Sequence, residues 1–295
     1  VYWVERDGRR RQSARGWAAP IEIGDRLWED LYQQKASVIF TSATLSVRGS
    51  FKFLQQRLGI DRIGEERLLT LDAGTPFDYA QQCTMMVPMF LPEPNDTSGD
   101  YAEALGEFLA ELFRRTRGRG LTLFTSYAML QKTTRRVREL LTGSEVDVLA
   151  QGESVSREAL TERFREDVAS VLMGTHSFWE GVDVVGESLS CVVLARLPFA
   201  VFTDPMVAAR CEQIEADGGS AFMHYSIPNA VIRFRQGFGR LIRHRNDRGI
   251  VIVADRRIAT KRYGLWFRNS VPAPALKCFD SESMLETVEQ FLAEV

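Results

Sequence analysis

Three observations make this a parallel α/β protein. From Asp100 onward, short apolar runs alternate with amphipathic stretches of helical spacing. Several of those runs, Val171-Leu172-Met173 and Ile250-Val251-Ile252-Val253 among them, are continuously apolar, as strands covered on both faces are. The residues that follow the runs are polar, and in open α/β sheets ligands bind beyond the carboxyl ends of the strands. With 295 residues, 45% of them hydrophobic, the chain can bury one large core or two small ones.

Taken in order, residues 1–6 alternate like a strand and show neither an initiator methionine nor a signal-peptide pattern, so a piece of a longer chain is expected. Residues 20–23 read as a strand, 25–33 as a short amphipathic helix, and 37–40 as a buried strand running into Thr41-Ser42-Ala43-Thr44-Leu45. A helix at 51–58 and a strand at 84–87 precede a loop at 92–99, marked by Pro, Asn, Asp and Gly. The regular part predicts helices at 100–116, 127–141, 155–166, 205–216, 229–243 and 282–292. Strands are predicted at 121–124, 146–150, 170–173, 189–194 and 250–254.

The net charge of −2 excludes a generally basic nucleic-acid binder, so phosphate contacts must come from local arginine clusters. Two such clusters are Arg114, Arg115, Arg117 and Arg119, and Arg233, Arg235, Arg240, Arg243 and Arg245. Cys83, Cys191, Cys211 and Cys278 lack metal-ligand spacing and read as core fillers in a reducing compartment. No apolar run approaches the roughly 20 residues needed to cross a bilayer, and a cytoplasmic protein without a membrane partner is expected.

The central stretch is Gln236-Gly237-Phe238-Gly239-Arg240-Leu241-Ile242-Arg243. On a helix through Arg243, Ala230, Val231, Phe234, Phe238, Leu241 and Ile242 share one face, and Arg233, Gln236, Arg240 and Arg243 the other. Each glycine inside a helix costs about 1 kcal/mol against alanine, so a closely docked partner is expected beside Gly239. After the strands come Thr125-Ser126, Gly174-Thr175-His176-Ser177 and Asp255-Arg256-Arg257. Thr125 and Ser126 suit either a helix cap or a phosphate contact. In Phe178-Trp179-Glu180-Gly181-Val182-Asp183, the carboxylates suit orientation of an arginine, a ribose or a metal-bound water, while Phe178 and Trp179 suit the core. His176 is not expected to act as a base. No G-x-x-x-x-G-K-[ST] loop is present, so a triphosphate is not expected to be held by this chain alone.

Thr41-Ser42-Ala43-Thr44-Leu45, Leu123-Phe124-Thr125-Ser126-Tyr127, Ser177-Phe178-Trp179-Glu180-Gly181-Val182-Asp183 and the 236–243 stretch resemble, in order and wording, motifs III, IV, V and VI of DinG-like helicases, the bacterial relatives of XPD in superfamily 2. The resemblance covers nearly the whole chain. It implies a RecA-like, P-loop NTPase-type second motor domain over 47–295, without its own Walker A loop, preceded over 1–46 by the tail of the first motor lobe. ATP and Mg2+ would be bound mainly by that first lobe in cis, and any four-cysteine iron–sulfur cluster would also lie outside this chain.

The resemblance further implies that Arg240 and Arg243 act on the transferring phosphoryl group of a 5′ to 3′ DNA helicase. Gln236, Gly239, Glu180, Gly181, Asp183, Ser42 and Thr44 would serve ATP binding and coupling. Thr125, Ser126, Thr175 and Ser177 would contact single-stranded DNA. The isolated fragment would be inactive. A rival reading is a non-catalytic RecA-like module that binds nucleic acid or protein, against which the complete Gln-Gly-x-Gly-Arg-x-x-Arg spacing speaks.

Overall fold

A computed structural model describes residues 1–7, 13–95, 100–153, 155–179, 184 and 188–293. It divides into two units, one formed by Val1–Ala73 with Phe199–Ile232 and the other by Gly74–Pro198 with Arg233–Val295.

In the first unit, β1 (Tyr2–Asp7) and β2 (Ser13–Ala18) form an antiparallel ribbon with Trp3 opposite Trp17, their rings stacked at 5.9 Å. The second strand thus lies before the 20–23 segment expected to supply it, because the ladder to β1 fixes it there. The strand expected at 37–40 is also absent: Ile39 is 83% exposed and Phe40 39%, and a strand without a ladder partner leaves its backbone groups to water. The helix Lys52–Leu58 ends on Gly59, in the left-handed region at φ 70°, where an added Cβ would lie 2.6 Å from Gly24 Cα. Pro205–Ala216 starts on Asp204, whose carboxylate accepts from Met206 N and Val207 N. Its Val207 and Cys211 pack with Ala221 into a small apolar cluster.

The second unit carries the parallel sheet that the apolar runs predict. Its strands are β3 (Cys83–Pro88), β4 (Gly120–Leu123), β5 (Asp147–Ala150), β6 (Ser170–Gly174), β7 (Cys191–Leu194), β8 (Gly249–Val253) and β9 (Ala275–Cys278), in the order β5-β6-β4-β7-β8-β3-β9. The register is Leu123 opposite Gly174 and Leu194, and Leu194 opposite Val253. Helices flank it. Tyr101–Thr116 begins at Asp100, whose carboxylate accepts from Ala102 N at 3.2 Å, a cap worth about 1 kcal/mol. It crosses Tyr127–Leu141 so closely that a Cβ on Gly106 would sit 2.8 Å from Arg136 Cβ. Leu105, Leu109, Phe113, Leu130 and Val137 cover one sheet face together with Met284, Leu285 and Val288 of Ser281–Ala293.

Part of the first arginine cluster is drawn into this scaffold. Arg115 pairs with Glu111 at 3.2 Å, Glu282 at 2.6 Å and Glu289 at 3.0 Å, which takes that arginine out of the basic patch expected there.

Candidate functional site at the carboxyl edge of the sheet

Gly174 ends β6, and a Cβ there would lie 2.4 Å from Phe178 Cδ2, so glycine lets the short helix His176–Trp179 fold back over its strand. Phe178 and Trp179 are buried, as their apolar character predicts. The Trp179 indole N–H donates to Phe124 O at 3.1 Å, which ties the end of β4 to the turn after β6. The carbonyl of the same residue accepts from Arg240 Nε at 3.0 Å.

The helix that carries the central motif is Ile227–Phe238, and the division between the two units falls within it. It does not continue through Arg243. Past Phe238 the hydrogen bonds tighten to three-residue spacing, Arg240 N to Gly237 O at 3.2 Å and Leu241 N to Phe238 O at 3.3 Å. The physical reason lies outside the helix: Asp247 Oδ2 accepts from both Arg243 N and His244 N at 2.7 Å, offering those amides a partner other than a helical carbonyl. Gln82 holds the same turn, with its side-chain amide donating to His244 O, Arg245 O and Asp247 O. The expected apolar face survives, since Phe234, Phe238, Leu241 and Ile242 are all buried.

Among the described residues no side chain is closely docked beside Gly239. Gly239 is exposed, and among the described residues a Cβ on it would meet the carbonyls of Arg235 and Gln236 in the preceding helix. The close approach is at Gly237, where a Cβ would lie 2.8 Å from Trp179 Cζ3 and 3.2 Å from Leu194 Cδ2.

Arg240 and Arg243 are half-buried, and Arg243 Nε donates to Arg240 O at 3.4 Å. Burial pushes the Arg243 guanidinium below its ordinary pKa, with the Asp247 carboxylate acting in the opposite sense. A desolvated cation of this kind gains from an anion brought beside it, which fits a phosphate group. The Gln236 Oε1 atom is buried without a hydrogen-bond partner among the described residues. Glu180, Gly181 and Asp183 lie outside the described residues. Among the described residues no cluster of His, Cys, Asp and Glu is placed to hold a metal.

The hydroxyls after the strands take different roles. Ser126 accepts from Met129 N at 3.5 Å and caps Tyr127–Leu141, so it fulfils the capping alternative. Thr125 beside it is half-buried. Thr175 donates through both its backbone N, at 2.7 Å, and its Oγ1, at 2.8 Å, to Gln151 Oε1, and Gln151 Nε2 donates to Ser177 Oγ at 3.2 Å. Gln151, which is not among the candidates that the sequence marks, thus joins Thr175 and Ser177. It directly follows β5, so the rule applied to the other strand ends points to it as well. Arg157 Nη1 reaches Ser177 O at 3.4 Å.

Asp255, after β8, is fully buried and bound to Arg257 at 2.9 and 2.7 Å and to Leu197 N at 2.9 Å, an internally satisfied pair. In the first unit, Ser42 Oγ lies 3.3 Å from Thr44 Oγ1 and accepts from Thr44 N at 3.2 Å, a local turn with Ser42 exposed.

Residues 109–274 match the family model described as Helicase C-terminal domain. The chain is 39% identical over 271 residues to the ATP-dependent DNA helicase YoaA of Haemophilus influenzae, covering 92% of this chain and 40% of that protein. It is 38% identical over 274 residues to the ATP-dependent helicase DinG of Mycobacterium tuberculosis, again covering 92% and 40%. With the 3'-5' exonuclease DinG of Bacillus subtilis it shares 35% identity over 284 residues, covering 95% of this chain and 30% of that protein. The chain therefore spans well under half the length of these relatives. Among solved structures, apo XPD superposes with a TM-score of 0.63 at 17% identity over 88% of this chain and 52% of that one, a likeness of RecA-like fold.

Proposed function

Because the chain belongs to the helicase C-terminal domain family, in its DinG and XPD branch, we propose that it is the second motor half of an ATP-dependent, 5′ to 3′ DNA helicase. The observation that carries this reading is Arg240 held by the Trp179 carbonyl at 3.0 Å, at the carboxyl edge of a parallel sheet where such folds bind ligands.

In this reading residues 1–46 are the tail of the first motor lobe and 47–295 the second RecA-like domain. ATP and Mg2+ are held mainly by the first lobe, and ATP supplies the phosphoryl group whose charge Arg240 and Arg243 stabilise. Arginines so used are worth about 10³–10⁵ in rate. Gln236, with a buried carbonyl oxygen lacking a partner among the described residues, joins the nucleotide side together with Gly239, Glu180, Gly181 and Asp183. Ser42 and Thr44 couple cleft closure to the strand. Thr175 and Ser177, flanked by Thr125 and Ser126, face single-stranded DNA, whose phosphates are gripped without base readout.

The test is DNA-stimulated ATP hydrolysis by the complete protein. Arg240→Ala should lower turnover by about a hundredfold or more. Unchanged turnover in the folded variant would overturn the role given to Arg240, and no DNA-stimulated hydrolysis by the complete wild-type protein would leave the non-catalytic module as the better reading.

A further inference from the structure

We propose that Gln151 is a positioning residue that makes Ser177, and not Thr175, the hydroxyl that donates a hydrogen bond to a nucleic-acid phosphate. The inference rests on the proposed strand-binding role of this edge and goes beyond it by separating two residues that the motif reading treats alike.

The placement of protons separates the two hydroxyls. A backbone N–H can only donate, so the Gln151 atom 2.7 Å from Thr175 N must be the carbonyl oxygen. That fixes the orientation of the amide. The same oxygen lies 2.8 Å from Thr175 Oγ1, and since a carbonyl has no proton to give, the threonine hydroxyl donates. Its single proton is thereby spent inside the protein.

The other end of the amide is then necessarily the NH2 group, and it donates to Ser177 Oγ at 3.2 Å. The serine oxygen accepts and keeps its own proton for an outside partner. A phosphodiester oxygen is acceptor-only, so of the two hydroxyls only Ser177 is set up to bind it. Ser177 and Gln151 are each half-buried, and the exposed Arg157, with Nη1 3.4 Å from Ser177 O, adds a cation beside the same residue. One amide, inserted between the turns that follow β5 and β6, thus sets the polarity of the contact.

The experiment is equilibrium binding of a fluorescent oligothymidylate to this chain at low salt, with a thermal melt of every variant. Ser177→Ala should bind about tenfold more weakly, and Thr175→Val, which keeps the backbone bond to Gln151, should lose clearly less than Ser177→Ala does. Gln151→Glu still accepts from Thr175 but cannot donate to Ser177, whose proton then turns inward. Its affinity should fall about as far as that of Ser177→Ala, and should recover relative to wild type as the pH drops toward the ordinary glutamate pKa of about 4.3, where a protonated carboxyl donates again. In the Ser177→Ala background the glutamate should cost clearly less than it does beside Ser177, the remainder being repulsion between its carboxylate and the phosphates.

If Thr175→Val weakens binding as much as Ser177→Ala, or if Gln151→Glu is equally harmful with and without Ser177, the inference is overturned while strand binding at this edge stands. If Ser177→Ala binds like wild type, this inference alone fails; if wild type does not bind, the strand-binding reading itself fails, and this one with it. Should Gln151→Glu not fold, the comparison of Ser177→Ala with Thr175→Val decides alone.

Discussion

The indole of Trp179 occupies the space that a side chain on Gly237 would need, with Cζ3 2.8 Å from the position of that missing Cβ. The same tryptophan presents its carbonyl to Arg240 at 3.0 Å. A packing contact and a candidate catalytic contact therefore share one residue.

Gly237→Ala sets overpacking, about 1–3 kcal/mol, against a gain in helix propensity of about 1 kcal/mol. We expect net destabilisation in a thermal melt and lower ATP turnover in the complete protein, because displaced Trp179 moves its carbonyl from Arg240. Gly239→Ala, at an exposed position, should change stability by no more than about 0.5 kcal/mol. A melt in which Gly239 proves the more sensitive glycine would refute this account of the helix end.

Phe238→Ala and Arg240→Ala should separate folding from function. Phe238 is 3% exposed, and its truncation should cost about 3–5 kcal/mol through the cavity left behind. Removing Arg240 strips a partner from the buried Trp179 carbonyl and should cost about 1 kcal/mol, a small loss beside its effect on hydrolysis. Denaturant titration of both variants, read against ATPase rates, checks the contrast.

Asp247→Ala should loosen the turn that carries Arg243, since one carboxylate oxygen holds the amides of both Arg243 and His244. The expected loss is about 1–2 kcal/mol of stability, with faster hydrogen exchange at those two amides. Unchanged exchange there would show that the turn is held by other contacts.

The legible and illegible parts of this protein divide along physical lines. Helices such as Tyr101–Thr116 and Tyr127–Leu141 were readable because their apolar spacing reports directly which face is buried. The end of the helix at Phe238 was not, because Asp247 and Gln82, which hold the following turn, act from outside it. β9 was missed since Ala275-Leu276-Lys277-Cys278 is short and largely exposed, and is a strand only through its ladder with β3. At the site, residue types marked Arg240, Thr175 and Ser177 as candidates. A glutamine after a strand looks like ordinary turn polarity, and only the three bonds of Gln151 distinguish it.

The cysteines should be slow to react. Burial pushes the Cys83 and Cys191 thiols up to about 12, so at pH 8 the thiolate needed for alkylation is scarce as well as inaccessible. A maleimide should label the half-exposed Cys278 first and reach Cys83 and Cys191 only in denaturant. Fast labelling of Cys191 under native conditions would contradict the closed sheet interior.

The strand order also dictates when the sheet can be finished during synthesis. β3 is made before every other strand of its sheet, yet its two neighbours, β8 and β9, are the last to be made, with Cys83 opposite Gly249 and Met85 opposite Ala275. While β4, β5, β6 and β7 can begin to assemble as they leave the ribosome, β3 must wait with both edges unpaired and with Met85, Met86 and Val87, all buried in the finished fold, lacking their cover. Such long-range closure is slow, and the waiting strand is where a nascent chain of this protein is most open to chaperone capture or misassembly.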